Sequence, residues 1–207
     1  APAGVTAFGA SLAGAGDTDG DGLDDYLLAA ANTGTGSGGV WLVLGQEESA
    51  PPLFGPWEMA LAPSCVGCVT VHLPTLAAPG DVNGDGLDDI LVGYPQNVAL
   101  IPGRERLLWP VGTQPVAAVA ETTFAVDSDF VNVSRLGDAN GDGLMDMLMA
   151  APDSSPARVY VVLGRRDAWP LTAGRVDLLT QAERVYQEST LAESRLGVSL
   201  APLGDVD

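Results

Sequence analysis

An acidic nine-residue loop occurs three times in this chain, and it constrains the fold more than any other feature. The copies are Asp17-Thr18-Asp19-Gly20-Asp21-Gly22-Leu23-Asp24-Asp25, Asp81-Val82-Asn83-Gly84-Asp85-Gly86-Leu87-Asp88-Asp89 and Asp138-Ala139-Asn140-Gly141-Asp142-Gly143-Leu144-Met145-Asp146. A fourth copy begins at Gly204-Asp205-Val206-Asp207, where the sequence stops. Oxygens at positions 1, 3 and 5 of a tight loop converge on one point, because the backbone curls and turns every second side chain inward. Calcium suits that arrangement: it takes roughly six to eight hard oxygen ligands in a flexible shell. Glycine at positions 4 and 6 fits sharp turns that are costly for other residues.

The spacing predicts side-chain ligands at Asp17, Asp19 and Asp21, at Asp81, Asn83 and Asp85, and at Asp138, Asn140 and Asp142. By analogy with other calcium loops, position 7 offers a carbonyl from Leu23, Leu87 and Leu144, and position 9 a closing carboxylate from Asp25, Asp89 and Asp146. Asp205 and Asp207 would open a fourth site, so about three complete calcium sites and one truncated site are expected. The third loop differs at position 8, with Met145 where the others have Asp24 and Asp88.

An EF-hand would need a glutamate twelve residues into the loop and a helix on each side. The twelfth positions are Leu28, Val92 and Met149, all apolar. Each loop is followed by a short apolar run, Tyr26 to Ala31, Ile90 to Tyr94 and Met147 to Ala151, bounded by Pro, Asn or Gly. Such runs read as buried strands, so the loops are expected to join strand to strand.

The loops begin 64, 57 and 67 positions apart, a period that signals a repeat architecture. Within each repeat the order is a strand, the loop, the buried strand, a turn, and a second apolar strand ending in glycine: Val40 to Gly45, Val98 to Gly103, Val159 to Gly164. With a variable stretch before the next copy, that makes about four strands per unit, the content of one propeller blade. The phrase Phe8-Gly9-Ala10-Ser11-Leu12-Ala13-Gly14-Ala15-Gly16-Asp17, with its partner Arg195-Leu196-Gly197-Val198-Ser199-Leu200-Ala201-Pro202-Leu203-Gly204-Asp205, resembles the FG-GAP repeats of integrin α-subunit β-propellers and their bacterial relatives. The middle copies, Val71 to Gly80 and Phe130 to Gly137, keep the strand and the Gly-Asp step but lose the Phe-Gly pair.

The resemblance implies an all-β fold of about three four-stranded blades and the start of a fourth. As one FG-GAP region over residues 1–207, the approximate repeats are 8–70, 71–129, 130–190 and a partial 191–207. It also implies that the loops hold calcium at the propeller edge and brace a β-hairpin. Three repeats cannot close the family's usual ring, so either more chain, several chains, or an open array with paired ends is expected, since unpaired sheet edges are poorly tolerated.

The formal charge of −18 takes on meaning once the acids are located. Loop one holds five, loop two four, loop three three and the truncated copy two, about half of the 27 acidic residues. Three bound dications would bring the total to −12. Nucleic acid is not expected as a partner, because phosphate binding needs clustered basic residues and the chain has nine scattered arginines and no lysine. An arginine-only basic set with abundant Ala and Gly points to a GC-rich bacterial genome. Cys65 and Cys68 have too few companions for a four-ligand zinc site; they are expected to form a local disulfide, which fits an oxidising compartment. No apolar run reaches the roughly 18 residues of a membrane span. Asn132-Val133-Ser134 is a formal glycosylation sequon in an expected strand.

No catalytic constellation stands out. His72, the single histidine, lies in an alternating stretch and reads as an ordinary strand residue, and Gly34-x-Gly36-x-x-Gly39 opens no helix. Trp41 is expected in the core, and Trp57, Trp109 and Trp169, each beside a proline, on exposed loops. The expected function is that of a secreted or cell-surface, non-enzymatic, calcium-binding adhesion or interaction module. Its ligand would be a protein or glycan met by loops such as Gly45 to Ser64 and Gly164 to Val176. The alternatives are a self-associating structural subunit of an extracellular fibre or surface assembly, and an accessory domain of a larger secreted hydrolase.

Overall fold

Apolar runs of five to seven residues, flanked by Gly, Asn and Asp, form the strands of three sheets in the computed structural model, which describes residues 6–31, 39–46, 59–62, 73–110, 112–171, 174–188 and 196–201. The first sheet contains β1 (Thr6–Gly16), β2 (Asp25–Ala31), β3 (Gly39–Val43) and β4 (Met59–Ala62), each antiparallel to the next. The second starts with β5 (Thr75–Gly80), β6 (Asp89–Tyr94) and β7 (Asn97–Ile101). The chain then makes β8 (Gly112–Pro115), a single turn of helix α1 (Val116–Val119), and β9 (Thr122–Ala125), which pairs with β7 as the fourth strand of the second sheet. The third sheet is β10 (Asn132–Gly137), β11 (Asp146–Ala151), β12 (Arg158–Val162) and, after β13 (Val176–Asp177) and helix α2 (Leu178–Gln181), β14 (Arg184–Gln187). Each acidic loop joins two antiparallel strands, β1 to β2, β5 to β6 and β10 to β11, as its spacing predicts. This is the blade content that the repeats imply.

Two strands depart from the four-strand reading. β8 pairs in parallel with β4 of the preceding sheet, Met59 opposite Gly112 through Ala62 opposite Pro115, and β13 pairs in parallel with β9, Val176 opposite Phe124. Each of the first two sheets is thus completed by a fifth strand from the repeat after it.

The sheets stack face to face through two apolar layers. Side chains alternate sides along a strand, so on β6 Leu91 faces one layer while Ile90 and Val92 face the other, and every residue of that strand is buried. Leu27, Ala29, Val40 and Leu42 meet Ile90, Val92, Ala99 and Ile101 between the first and second sheets. Leu91, Val98, Leu100 and Phe124 meet Val133, Met147, Met149, Tyr160 and Val162 between the second and third. Each large apolar side chain so buried contributes about 1.5–3 kcal/mol, which fixes the sheets side by side and their loops along one edge.

Trp109 and Trp169 are buried, not on exposed loops as their proline neighbours suggested. Each lies under an arginine at the end of its sheet's third strand: the Arg104 guanidinium is 4.8 Å from the Trp109 ring centre and that of Arg165 is 5.2 Å from Trp169. Cation–π contact and packing against the layers outweigh the loop position. Trp41 is in the core, as expected. Asn132 heads β10 and its Nδ2 donates to the carbonyls of Gly197 and Val198, at 2.8 and 2.6 Å, so the sequon's amide is engaged within the protein. Cys65, Cys68, His72, Trp57, Gly34, Gly36, Asp205, Asp207 and most of the variable loop from Gly45 to Ser64 lie outside the described residues, as do residues 172–173 of the loop from Gly164 to Val176. Among the described residues, no helix is long and apolar enough to cross a membrane.

Candidate metal-binding loops

The three loops share one hydrogen-bond design. The first aspartate gathers the turn: Asp17 Oδ1 accepts from Gly20 N at 2.7 Å and Asp21 N at 3.2 Å, and Oδ2 from Gly22 N at 2.9 Å. Asp81 and Asp138 repeat this with Gly84, Asp85 and Gly86, and with Gly141, Asp142 and Gly143. At position 3, Oδ1 of Asp19, Asn83 and Asn140 accepts from the position 5 N–H, and at position 5, Oδ1 of Asp21, Asp85 and Asp142 accepts from the N–H of Leu23, Leu87 and Leu144. Short polar side chains that bond to the backbone two residues on are what make such turns.

In loop one, carboxylate oxygens of Asp17, Asp19 and Asp21 lie within 4.8 Å of one another, a group that could hold a metal ion. The donors are hard and anionic, the chemistry calcium selects. Asp19 is almost wholly buried, and desolvation, reinforced by the Asp25 carboxylate, pushes its pKa above the usual range. A dication would offset that cost. Loops two and three present the same backbone with Asn at position 3.

The ninth-position aspartates have a use that spacing alone does not reveal. Asp25 Oδ2 accepts from Thr18 N at 2.9 Å and from the Thr18 hydroxyl, while Oδ1 accepts from Gly45 N at 2.7 Å. Asp89 is held by Val82 N at 2.8 Å and Gly103 N at 2.9 Å, and Asp146 by Ala139 N and Gly164 N at 2.8 and 2.9 Å. All three are buried. Burial raises the carboxyl pKa of each against these N–H donors, to about 7 for Asp89. These side chains tie the start of the loop to the end of the third strand; each oxygen of Asp89 and Asp146 keeps a further lone pair for a ligand, whereas Asp25 Oδ2 spends both of its own on Thr18.

Gly45, Gly103 and Gly164 were missed as site residues. A Cβ on Gly103 would come within 2.5 Å of Leu87 Cβ and 2.8 Å of Asp88 O, and one on Gly164 within 2.6 Å of Met145 O. The signal was present in the glycine that ends each second apolar strand.

The loops are also stitched to one another. The position 8 N–H donates to the position 1 carbonyl of the preceding loop, Asp88 N to Asp17 O at 3.1 Å and Met145 N to Asp81 O at 2.9 Å. The residue after the third-strand glycine donates to the position 2 carbonyl of that same loop, Arg104 N to Thr18 O at 2.9 Å and Arg165 N to Val82 O at 2.8 Å. The acidic edge is therefore continuous across the three sheets.

Residues 81–149 match the family model described as FG-GAP-like repeat. The match runs from the start of loop two through β6, β7, β9, β10 and loop three into β11, and this stretch of the chain is an FG-GAP-like repeat.

Proposed function

We propose that the chain, with an FG-GAP-like repeat over residues 81–149, is a calcium-braced binding module of the cell surface or extracellular space, acting through contact and not catalysis. The observation that carries this reading is the repetition of one loop geometry three times along a single edge, down to the same backbone donors on positions 1, 3, 5 and 9. Calcium on the loops, when bound, would neutralise carboxylates that the fold crowds together and would stiffen the hairpins beneath them. Position 1, 3 and 5 side chains with the position 7 carbonyl would hold it. Extracellular calcium concentrations suit sites of modest affinity.

Calorimetric calcium titration of the chain tests this. Three equivalents are expected, and Asp85→Ala should remove one; an unchanged stoichiometry in that variant would overturn the ligand assignment.

A self-associating structural subunit is the second reading, favoured by the direction of the stitching. In the backbone-to-backbone bonds between loops the later repeat always donates to the one before it, a head-to-tail contact that generates a ring or an open array. Light scattering in calcium and in chelator separates the two: fixed mass supports the binding module, concentration-dependent growth the array.

A further inference from the structure

The three loops share their backbone bonds but differ at position 3. Asn83 Nδ2 donates to Asp85 Oδ2 at 3.0 Å, and Asn140 Nδ2 to Asp142 Oδ2 at 2.8 Å, so in loops two and three the position 3 side chain supplies the hydrogen that holds position 5. Loop one has Asp19 there, which when ionised has no hydrogen to give. Two carboxylates stand side by side instead, and the Asp19 side chain is fully shielded from solvent.

The missing donor comes from the next repeat. Arg106 Nη1 lies 3.2 Å from Asp19 Oδ2 and 3.0 Å from Asp21 Oδ2, and also donates to the Gly45 carbonyl at 3.2 Å. Its position is fixed by the strand end before it, where Arg104 N holds Thr18 O. In the third repeat the residue three beyond the glycine is Asp167, and Arg166, one earlier, reaches the Gly84 carbonyl at 3.4 Å. The arginine bridge to a position 3 and position 5 pair thus accompanies the loop that has aspartate at position 3.

We infer that Arg106 is a built-in cation that closes loop one in place of the asparagine used by loops two and three, so that calcium entering loop one competes with the contact between the first and second sheets. The competition rests on the calcium reading above; the replacement of asparagine by arginine does not. Both cations draw on the carboxylates of Asp19 and Asp21. Removing the guanidinium therefore has opposite effects with and without metal: the metal-free loop loses the counter-charge that Arg106 supplies, while the calcium-loaded loop is relieved of a rival.

The experiment uses the full chain as wild type, R106Q, D19N and D19N/R106Q. In chelator, R106Q should melt about 2–4 °C lower, the shift expected of a chain this size for a modest loss. D19N/R106Q should recover most of that, because an amide restores the internal donor. In calcium titration, R106Q should tighten one class of sites by about fivefold, the order of a half-exposed ion pair, and leave the others unchanged. An unchanged melt for R106Q in chelator, no recovery in the double variant, or an unchanged or weaker calcium affinity would overturn the inference. Absence of calcium uptake by every variant and by wild type would remove the calcium reading and the competition with it, while the chelator melts would still decide whether Arg106 does the asparagine's work.

Discussion

Asp17 and Asp88, in different loops, bond to each other twice: Asp88 N donates to the Asp17 carbonyl at 3.1 Å, and Asp17 N donates to Asp88 Oδ2 at 3.0 Å. Two acids meet here because backbone, not charge, sets the contact. Desolvation raises the pKa of Asp88, and the Asp17 N–H opposes that rise. Gly16 makes the approach possible, with φ at +70° and a Cβ position that the Asp88 carboxylate already fills. In the next junction Met145 makes only the backbone half of this pair, donating to Asp81 O, and its side chain packs over Gly80.

Asp88→Ala should therefore destabilise the chain by about 1–3 kcal/mol, the range for losing a charged acceptor from a half-buried N–H. Met145→Ala at the homologous place loses packing over Gly80 but no hydrogen bond, so it is no measure of the Asp88 carboxylate. Urea unfolding of Asp88→Ala in chelator gives the value, and an unchanged midpoint would show that the Asp88 carboxylate adds nothing beyond its backbone.

Asp89→Ala should be more severe, at roughly 2–4 kcal/mol, because it strands Val82 N and Gly103 N in the interior. The loss should persist in saturating calcium, since these bonds are structural. A variant with full stability in calcium would mean that these two hydrogen bonds contribute nothing to the fold. The midpoint of guanidinium unfolding at fixed calcium is the readout.

Gly103→Ala should cost about 1–3 kcal/mol by overpacking. Its Cβ would press on Leu87, on Asp88 O and, at 3.1 Å, on the Thr18 carbonyl of the preceding loop. Amide hydrogen exchange should show faster exchange at Arg104 in this variant, whose N–H bonds to that carbonyl; an unaltered rate would show that the strand end absorbs the methyl without disturbing the junction.

Phe124→Ala tests the apolar layer instead of the edge. Phe124 is fully buried and meets Trp169 edge to face, with ring centres 5.2 Å apart. The truncation should cost about 3–5 kcal/mol. Quenching of tryptophan fluorescence by acrylamide should increase as Trp169 becomes accessible, and an unchanged quenching constant would mean that the second and third sheets stay closed without this ring.

The loops and the strands on either side of them were legible in the sequence because both signals are local. Asp, Asn and Gly at fixed offsets encode a turn, and an apolar run such as Ile90 to Tyr94 encodes a strand buried on both faces. What escaped was non-local. The partner of Asp89 Oδ1 is Gly103 N, fourteen positions away across a hairpin. Arg106 sits between Glu105 and Leu107 with no pattern around it, and only the lone aspartate at position 3 of loop one hinted that a donor was needed. β13 and β8, at two and four residues, are too short to show alternation. Trp109 and Trp169 were misplaced because an adjacent proline marks a turn but does not say what covers it.

The parallel pairing of β8 with β4 and of β13 with β9 has a temporal consequence. During synthesis the edge of the first sheet stays open until the middle of the second repeat has left the ribosome, and the edge of the second waits in turn for the third. Neither of the first two sheets reaches its final form alone. They are assembled as overlapping shingles, each one locked down by its successor.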